Sequence, residues 1–183
     1  MLTIIIIFIL ALAFYNGYRQ GMVMQLIRLV GYVITFIIAL MNFDKFTKTI
    51  EMLVPFPAIY SSTNFTLYNE ELRLYIDQAF YNVITVILIM IIGFIITQIV
   101  SVFFSKLSYM PTFENFNGII GGLINVFVTY FGIFIFLFTC SLLPIEWVQQ
   151  QFVDNPLIYW IVSYTPLLSD FAVNTWLVAS GLS

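Results

Sequence analysis

From Ala79 to Phe104 the sequence carries no charged side chain, and from Gly118 to Leu143 it again carries none. A third apolar run, Met22–Met41, is interrupted by Gln25 and Arg28. About 20 apolar residues suffice for a helix to cross about 30 Å of hydrocarbon, and each run is that long. In lipid every backbone N–H and C=O must be satisfied within the segment, so each run is read as a helix. The runs are continuous rather than alternating, which argues against barrel strands. Composition agrees. The 183 residues are 62% hydrophobic and 8% charged, whereas soluble domains carry roughly 25% charged residues. The reading is an all-α integral membrane protein.

The expected arrangement is four transmembrane helices forming two helical hairpins within a single membrane domain, 1–183. The spans are set at about 2–18, 22–41, 79–104 and 118–143. Residues 1–15, "MLTIIIIFILALAFY", resemble a signal peptide, yet no Lys or Arg precedes the apolar run. An uncleaved first span is expected. "NGYRQG" (16–21) is the expected turn of the first hairpin, and "SKLSYMPTFENFN" (105–117) that of the second. The central segment 42–78 opens with "NFDKFTKTIEML", where Phe43, Phe46, Ile50 and Leu53 recur at helical spacing. An interfacial amphipathic helix is predicted there. Pro55 and Pro57 then break the chain, and "NEELRLYIDQ" (69–78) reads as a polar helical lead-in to the third span.

The tail, 144–183, has no Lys or Arg, and Pro144, Pro156 and Pro166 divide it. With Trp147, Tyr159, Trp160, Tyr164 and Trp176 it predicts short helices at the headgroup level. A fifth span through 157–182 is the alternative, against which Pro166, Asp170 and Asn174 count. For orientation, Arg19 follows the first span and no basic residue precedes it. This places both hairpin turns in the cytoplasm and both termini and the central segment outside.

Six glycines share one spacing used twice. "NGYRQG" is followed by Gly31, and "NGIIGG" (117–122) by Gly132. At about 100° per residue, positions four and fourteen apart fall on one helix face. Gly17, Gly21 and Gly31 therefore form one stripe, and Gly118, Gly122 and Gly132 another. Bare glycine faces let helices approach closely in lipid, where such packing drives association. These stripes are the predicted helix-packing seam. They share their faces with Arg28, Thr35, Asn125 and Thr129. Arg28, Asn125 and Thr129 are the candidate polar intramembrane residues, facing protein or water rather than lipid, with snorkelling to the headgroups the other reading for Arg28. The repeated motif also raises an internal duplication, against coincidence of small residues. The third span carries a further polar stripe: Asn82, Gly93, Thr97 and Ser101.

Little points to chemistry. Six basic and nine acidic residues give a net charge of −3 without a basic block, so nucleic acid is not an expected partner. With no histidine and one cysteine, Cys140, the chain has too few ligands for a His/Cys metal site and cannot form an internal disulfide. Glu70, Glu71 and Asp77 read as a solvated face. No catalytic, cofactor or metal residue is predicted, and no enzyme is expected.

The short first span, "GYRQG", and the second span with Gly31 and "IIAL" near its end resemble the colicin V production protein family. The later "FNGIIGGLINVFVTYFGIFIF" is similar to that family's final span, and the tail "YTPLLSDF" to its Gram-positive members. One departure is that no basic residue follows the glycine motif of the fourth span. The resemblance implies a four-span plasma membrane protein that supports bacteriocin or toxin production or export and envelope homeostasis. Two functions follow. One is a non-catalytic scaffold. The other is an oligomeric channel or small-solute transporter lined by Arg28, Asn125 and Thr129. A pore needs a continuous polar lining, whereas "FGIFIFLF" (131–138) is nearly all apolar, which favours the scaffold. The expected partners are the lipid bilayer and either further copies of the chain or another membrane protein.

Overall fold

The computed structural model describes residues 2–57, 65–68, 74–104 and 116–178. Among them the structure is helical, with no strand. The elements in order are α1 (Leu2–Leu53), α2 (Ile76–Phe103), α3 (Asn117–Ser141), α4 (Glu146–Asp154), α5 (Pro156–Tyr164) and α6 (Leu168–Ala172), followed by a π-helical stretch, Val173–Val178. Three helices among the described residues are long and apolar enough to cross a membrane: α1, α2 and α3. At 1.5 Å per residue, α2 and α3 are about 42 and about 38 Å long, more than the hydrocarbon requires. Their outer faces are apolar and exposed, as at Ile92, Ile96, Phe127 and Phe136. That is the arrangement expected where lipid is the solvent.

Two expectations need correction. The first concerns "NGYRQG", which is not a loop. Residues 16–20 are helical, and within α1 two helices meet across a kink at a single non-helical residue, Gly21, at φ 78° and ψ 167°. Only glycine adopts that combination readily, because it has no Cβ. The second concerns residues 42–53, which form no separate helix. They continue α1 without a break to Leu53. Thr47 is buried, Phe43 and Ile50 of the apolar stripe are half-buried on either side of it, and Phe46 and Leu53 are exposed. Thr47 Oγ1 lies 3.1 Å from Asn82 Oδ1 and 3.4 Å from Thr85 Oγ1. The Thr47 hydroxyl donates to the Phe43 carbonyl of its own helix at 2.9 Å, so the buried group is satisfied locally and lies against Asn82 and Thr85. Of the expected second turn, 105–117, residues 105–115 lie outside the described residues and Asn117 already belongs to α3; of "NEELRLYIDQ" (69–78), residues 69–73 lie outside them and Ile76–Gln78 form the start of α2.

The chain divides into two compact units, Met1–Met41 with Leu88–Ile133, and Asn42–Ile87 with Phe134–Ser183. In the second unit the tail docks onto the end of α3. Phe134 and Phe138 stack with centroids 6.1 Å apart, and Trp176 reaches Phe138 at 5.7 Å. Phe152, Ile158, Ile161 and Leu177 are buried in the same core. Pro156 starts α5 at its first turn, where the missing N–H removes no helical bond. Each of α4 and α5 has nine residues, about 13–14 Å, which is too short to span. No described helix within 157–178 supports a fifth crossing. Trp147, Trp160 and Tyr164 remain exposed on the tail, available to the headgroup layer.

Gln149 is the pin of this docking. Its Nε2 donates to the carbonyls of Ser141 and Leu143, each at 2.9 Å. Its Oε1 accepts from Thr66 N at 3.1 Å, and its carbonyl accepts from Thr66 Oγ1 at 3.2 Å. The last carbonyls of a helix have no intrahelical partner. One buried amide thus closes the end of α3 and holds the 65–68 segment.

Candidate functional site

The seam is built in the first unit, from α1 and α3. The two Asn-Gly motifs pack against each other. A Cβ on Gly121 would stand 2.6 Å from Gly17 O and 2.7 Å from Gly21 C. These are backbone contacts that nothing but glycine permits. A Cβ on Gly17 would meet Gly121 O and would lie 2.6 Å from Asn125 Cβ. Gly118 lies under the Tyr18 ring and Gly122 under the Phe14 ring. Further along, Gly31 receives Thr97 of α2, and Gly93 of α2 receives Thr35. The two helices therefore exchange a threonine for a glycine in each direction. Thr35 Oγ1 is satisfied by its own Gly31 carbonyl at 2.9 Å, which keeps the methyl side toward Gly93.

Gly132 does not belong to this seam. It is exposed, and nothing lies within 4 Å of the place its Cβ would occupy. A shared helical face does not guarantee a neighbour at every height along it. The described contacts of this face to the first part of α1 run from Asn117 to Asn125 and stop short of Gly132.

Two residues at the centre of the seam have no counterpart in the sequence prediction. Gly121 makes the closest approach although it lies outside the four-residue spacing. Asn117 Oδ1 accepts the backbone N–H of Met22 at 2.6 Å, and a Cβ on Gly21 would meet that same side chain at 2.9 Å. Breaking the helical geometry at Gly21 strips the N–H groups just beyond it of their usual acceptors. Asn117 supplies one from another helix. The signal for it was present in the repeated "NG", but nothing local to Asn117 identifies Met22 as its partner.

Of the predicted polar residues, Asn125 and Arg28 make hydrogen bonds to residues on the N-terminal side of the kink. Asn125 Nδ2 donates to the Ala13 carbonyl at 2.7 Å. Arg28 donates through Nη1 to Gln20 Oε1, which Gln25 Nε2 also approaches at 3.3 Å. Gln25 is only 2% exposed. Arg28 Nε is buried and lacks a hydrogen-bond partner. Arg28 is thus directed at protein groups rather than extended to solvent. Thr129 is half-buried. Tyr32 accepts from Gln98 Nε2 at 3.2 Å and stacks on Phe94.

Contact order along the seam is informative. Before the kink, Ala13, Gly17 and Gly21 meet Asn125, Gly121 and Asn117 in opposite sense. After it, Met22 meets Asn117 and Phe36 meets Phe131 in the same sense, the latter edge-on at 5.1 Å.

This glycine-rich, multi-helix membrane architecture can be set beside known proteins. Residues 2–166 match the family described as Colicin V production protein. The chain belongs to that family. A relative from Bacillus subtilis (strain 168), described as the uncharacterized transmembrane protein YshB, is 26% identical over 178 residues, covering 96% of this chain and 97% of that protein. No solved structure matches. Family membership, the transmembrane relative and the apolar helices together make this chain a membrane protein.

Proposed function

We propose that the chain is a non-catalytic scaffold of the bacterial plasma membrane, supporting bacteriocin or toxin production or export and envelope homeostasis. The family's description, colicin V production, supports the first part of this reading. One observation carries the molecular reading: Asn125, Asn117 and the Arg28 Nη1 group are engaged with the chain itself. Asn125 is held by Ala13 O, Asn117 by Met22 N and Arg28 by Gln20. A conducting path needs such groups turned toward a solute.

We further propose that α1 is two spans reversing at Gly21, which gives four spans in two hairpins. Length supports this, since 52 residues in one line would measure about 78 Å, over twice the hydrocarbon thickness. The opposite senses in which its two parts run along α3 support it as well. Arg19, at the reversal, favours the cytoplasm for that turn, with termini outside. The exposed face of α3 at Phe127 and Phe136 is assigned to the lipid bilayer, and photocrosslinking from those positions tests this against a second copy or another membrane protein.

The second reading, a channel or small-solute transporter, is favoured by Arg28 Nε, a buried donor without a partner. One experiment separates the two. A bacteriocin-secreting strain lacking its own family member is complemented with wild type, Gly121→Leu or Asn125→Leu, and the purified proteins are assayed for solute flux in proteoliposomes. The scaffold predicts secretion restored by wild type, lost with Gly121→Leu, and no flux from any variant. Flux by wild type that Asn125→Leu abolishes overturns it.

A further inference from the structure

The second unit contains a cleft that the seam does not explain. It has a volume of about 310 Å³ and is lined by Tyr68, by Tyr159 and Tyr164 of α5, by Ser169 and Asp170 of α6, and by Asn174. Phe138 of α3 forms part of its wall. That size is at the small end of ligand clefts, which run from about 300 to 1,000 Å³. The floor and the rim differ. Ser169 is 6% exposed, and its Oγ is buried with no hydrogen-bond partner. Asp170 and Asn174 are exposed at the mouth.

The lining has one sign of charge. Among the described residues that line it, Asp170 is the sole carboxylate, and the tail 144–183 holds no Lys or Arg. Tyr68 adds no second charge. Enclosure away from water pushes its phenol above the ordinary tyrosine value, with the hydrogen bond to Ser141 acting in the opposite direction. Ser141 Oγ donates to the Phe138 carbonyl at 2.7 Å, which leaves the Tyr68 hydroxyl to donate to Ser141 Oγ at 2.6 Å. Tyr159 and Tyr164 stand at a mutual tilt of 54° with centroids 6.2 Å apart, so their π systems are not stacked flat on each other. Electron-rich rings beside a carboxylate attract organic cations. An unpartnered hydroxyl at the floor calls for a hydrogen-bonding ligand, because a buried polar group left unpaired is costly.

We propose that this cleft binds a small protonated primary amine of the ethanolamine type. Asp170 is its counter-ion, the tyrosine rings receive its cationic end, and Ser169 Oγ accepts an N–H. A quaternary ammonium satisfies the rings and the carboxylate but has no N–H for Ser169. The same chemistry is offered by a free amine and by the headgroup of phosphatidylethanolamine. The cleft lies against Phe138, three residues from the end of α3.

The test uses the full chain in detergent, titrated calorimetrically with ethanolamine, glycerophosphoethanolamine and choline. In parallel, nanodiscs of phosphatidylethanolamine or phosphatidylglycerol are analysed by native mass spectrometry for retained lipid. Saturable ethanolamine binding supports the proposal with a free amine as source. Retention of phosphatidylethanolamine alone supports it with the headgroup as source. Asp170→Asn is to weaken binding by about tenfold or more, the loss expected for a charge-assisted contact, with an unchanged melting temperature because Asp170 is exposed. Ser169→Ala is to reduce the preference for ethanolamine over choline. Tyr159→Leu weakens both amines and serves as a second variant should Ser169→Ala fold poorly. The proposal is overturned if neither amine source binds, if Asp170→Asn binds as wild type does, or if choline matches ethanolamine in the wild-type protein.

Discussion

At the scale of single residues, the glycines of this chain are not equivalent, and the structure ranks them by what surrounds each one. Gly21 is constrained twice, by a positive φ of 78° and by the Asn117 side chain. A residue forced into such a backbone region costs about 1–3 kcal/mol, so Gly21→Ala is expected to lower thermal stability in detergent clearly. Gly121 faces backbone atoms, which cannot swing aside, whereas Gly122 faces the edge of the Phe14 ring, which can. Overpacking of a tight contact costs about 1–3 kcal/mol. Gly121→Ala is therefore expected to destabilise more than Gly122→Ala, and Gly132→Ala to leave the melting temperature unchanged or slightly raised, since an exposed helical alanine is favoured over glycine by up to about 1 kcal/mol. Melting curves of the four variants in one detergent check the ranking. Equal tolerance of Gly121→Ala and Gly132→Ala would refute it.

At the scale of elements, the apolar runs made α2 and α3 legible, because a long uncharged stretch has few alternatives to a membrane helix. The prolines likewise marked the breaks of the tail, and Pro156 begins α5 where the sequence suggests. Four of the stripe glycines, Gly17, Gly31, Gly118 and Gly122, are readable from helical spacing and meet close neighbours, as does Gly21. What was not legible depended on partners distant in sequence. Asn117 takes Met22 N, and Thr47 takes Asn82 and Thr85. Periodicity places residues on a face of their own helix but does not say which face of another helix arrives there. Gln149 illustrates the limit. It lies in a polar stretch, "EWVQQQF", with nothing to distinguish it from Gln150 or Gln151, yet only Gln149 reaches the last carbonyls of α3. Gln149→Leu is expected to strand those carbonyls and Thr66 N, and a buried group left unpaired costs about 1–3 kcal/mol. The tail should then become sensitive to limited proteolysis, while Gln150→Leu, at an exposed position, leaves the pattern as in wild type.

At the scale of the whole molecule, the two helices that meet across the kink at Gly21 have to be fitted to a membrane about 30 Å thick. With a reversal at Gly21, residues 2–20 form a stretch of about 28 Å, and residues 22–41 one of about 30 Å, each close to one crossing. The helical residues 42–53 then project beyond the far side, which suits Asp44, Lys45, Lys48 and Glu51. Without a reversal, one part of α1 would have to lie along the surface with an apolar face unburied or Arg28 would sit in the hydrocarbon without its neighbours. The two arrangements place Arg19 and Lys45 differently. In a Cys140→Ala background, single cysteines at Arg19, Lys45 and Gln150 are labelled in intact cells with a membrane-impermeant maleimide. Reversal predicts that positions 45 and 150 react together and that 19 reacts only after the membrane is opened, given a cytoplasmic turn. If 19 is labelled and the other two are protected, the orientation is inverted. Labelling of 19 and 45 from the same side removes the reversal itself, and with it the four-span bundle that depends on one glycine to turn the chain.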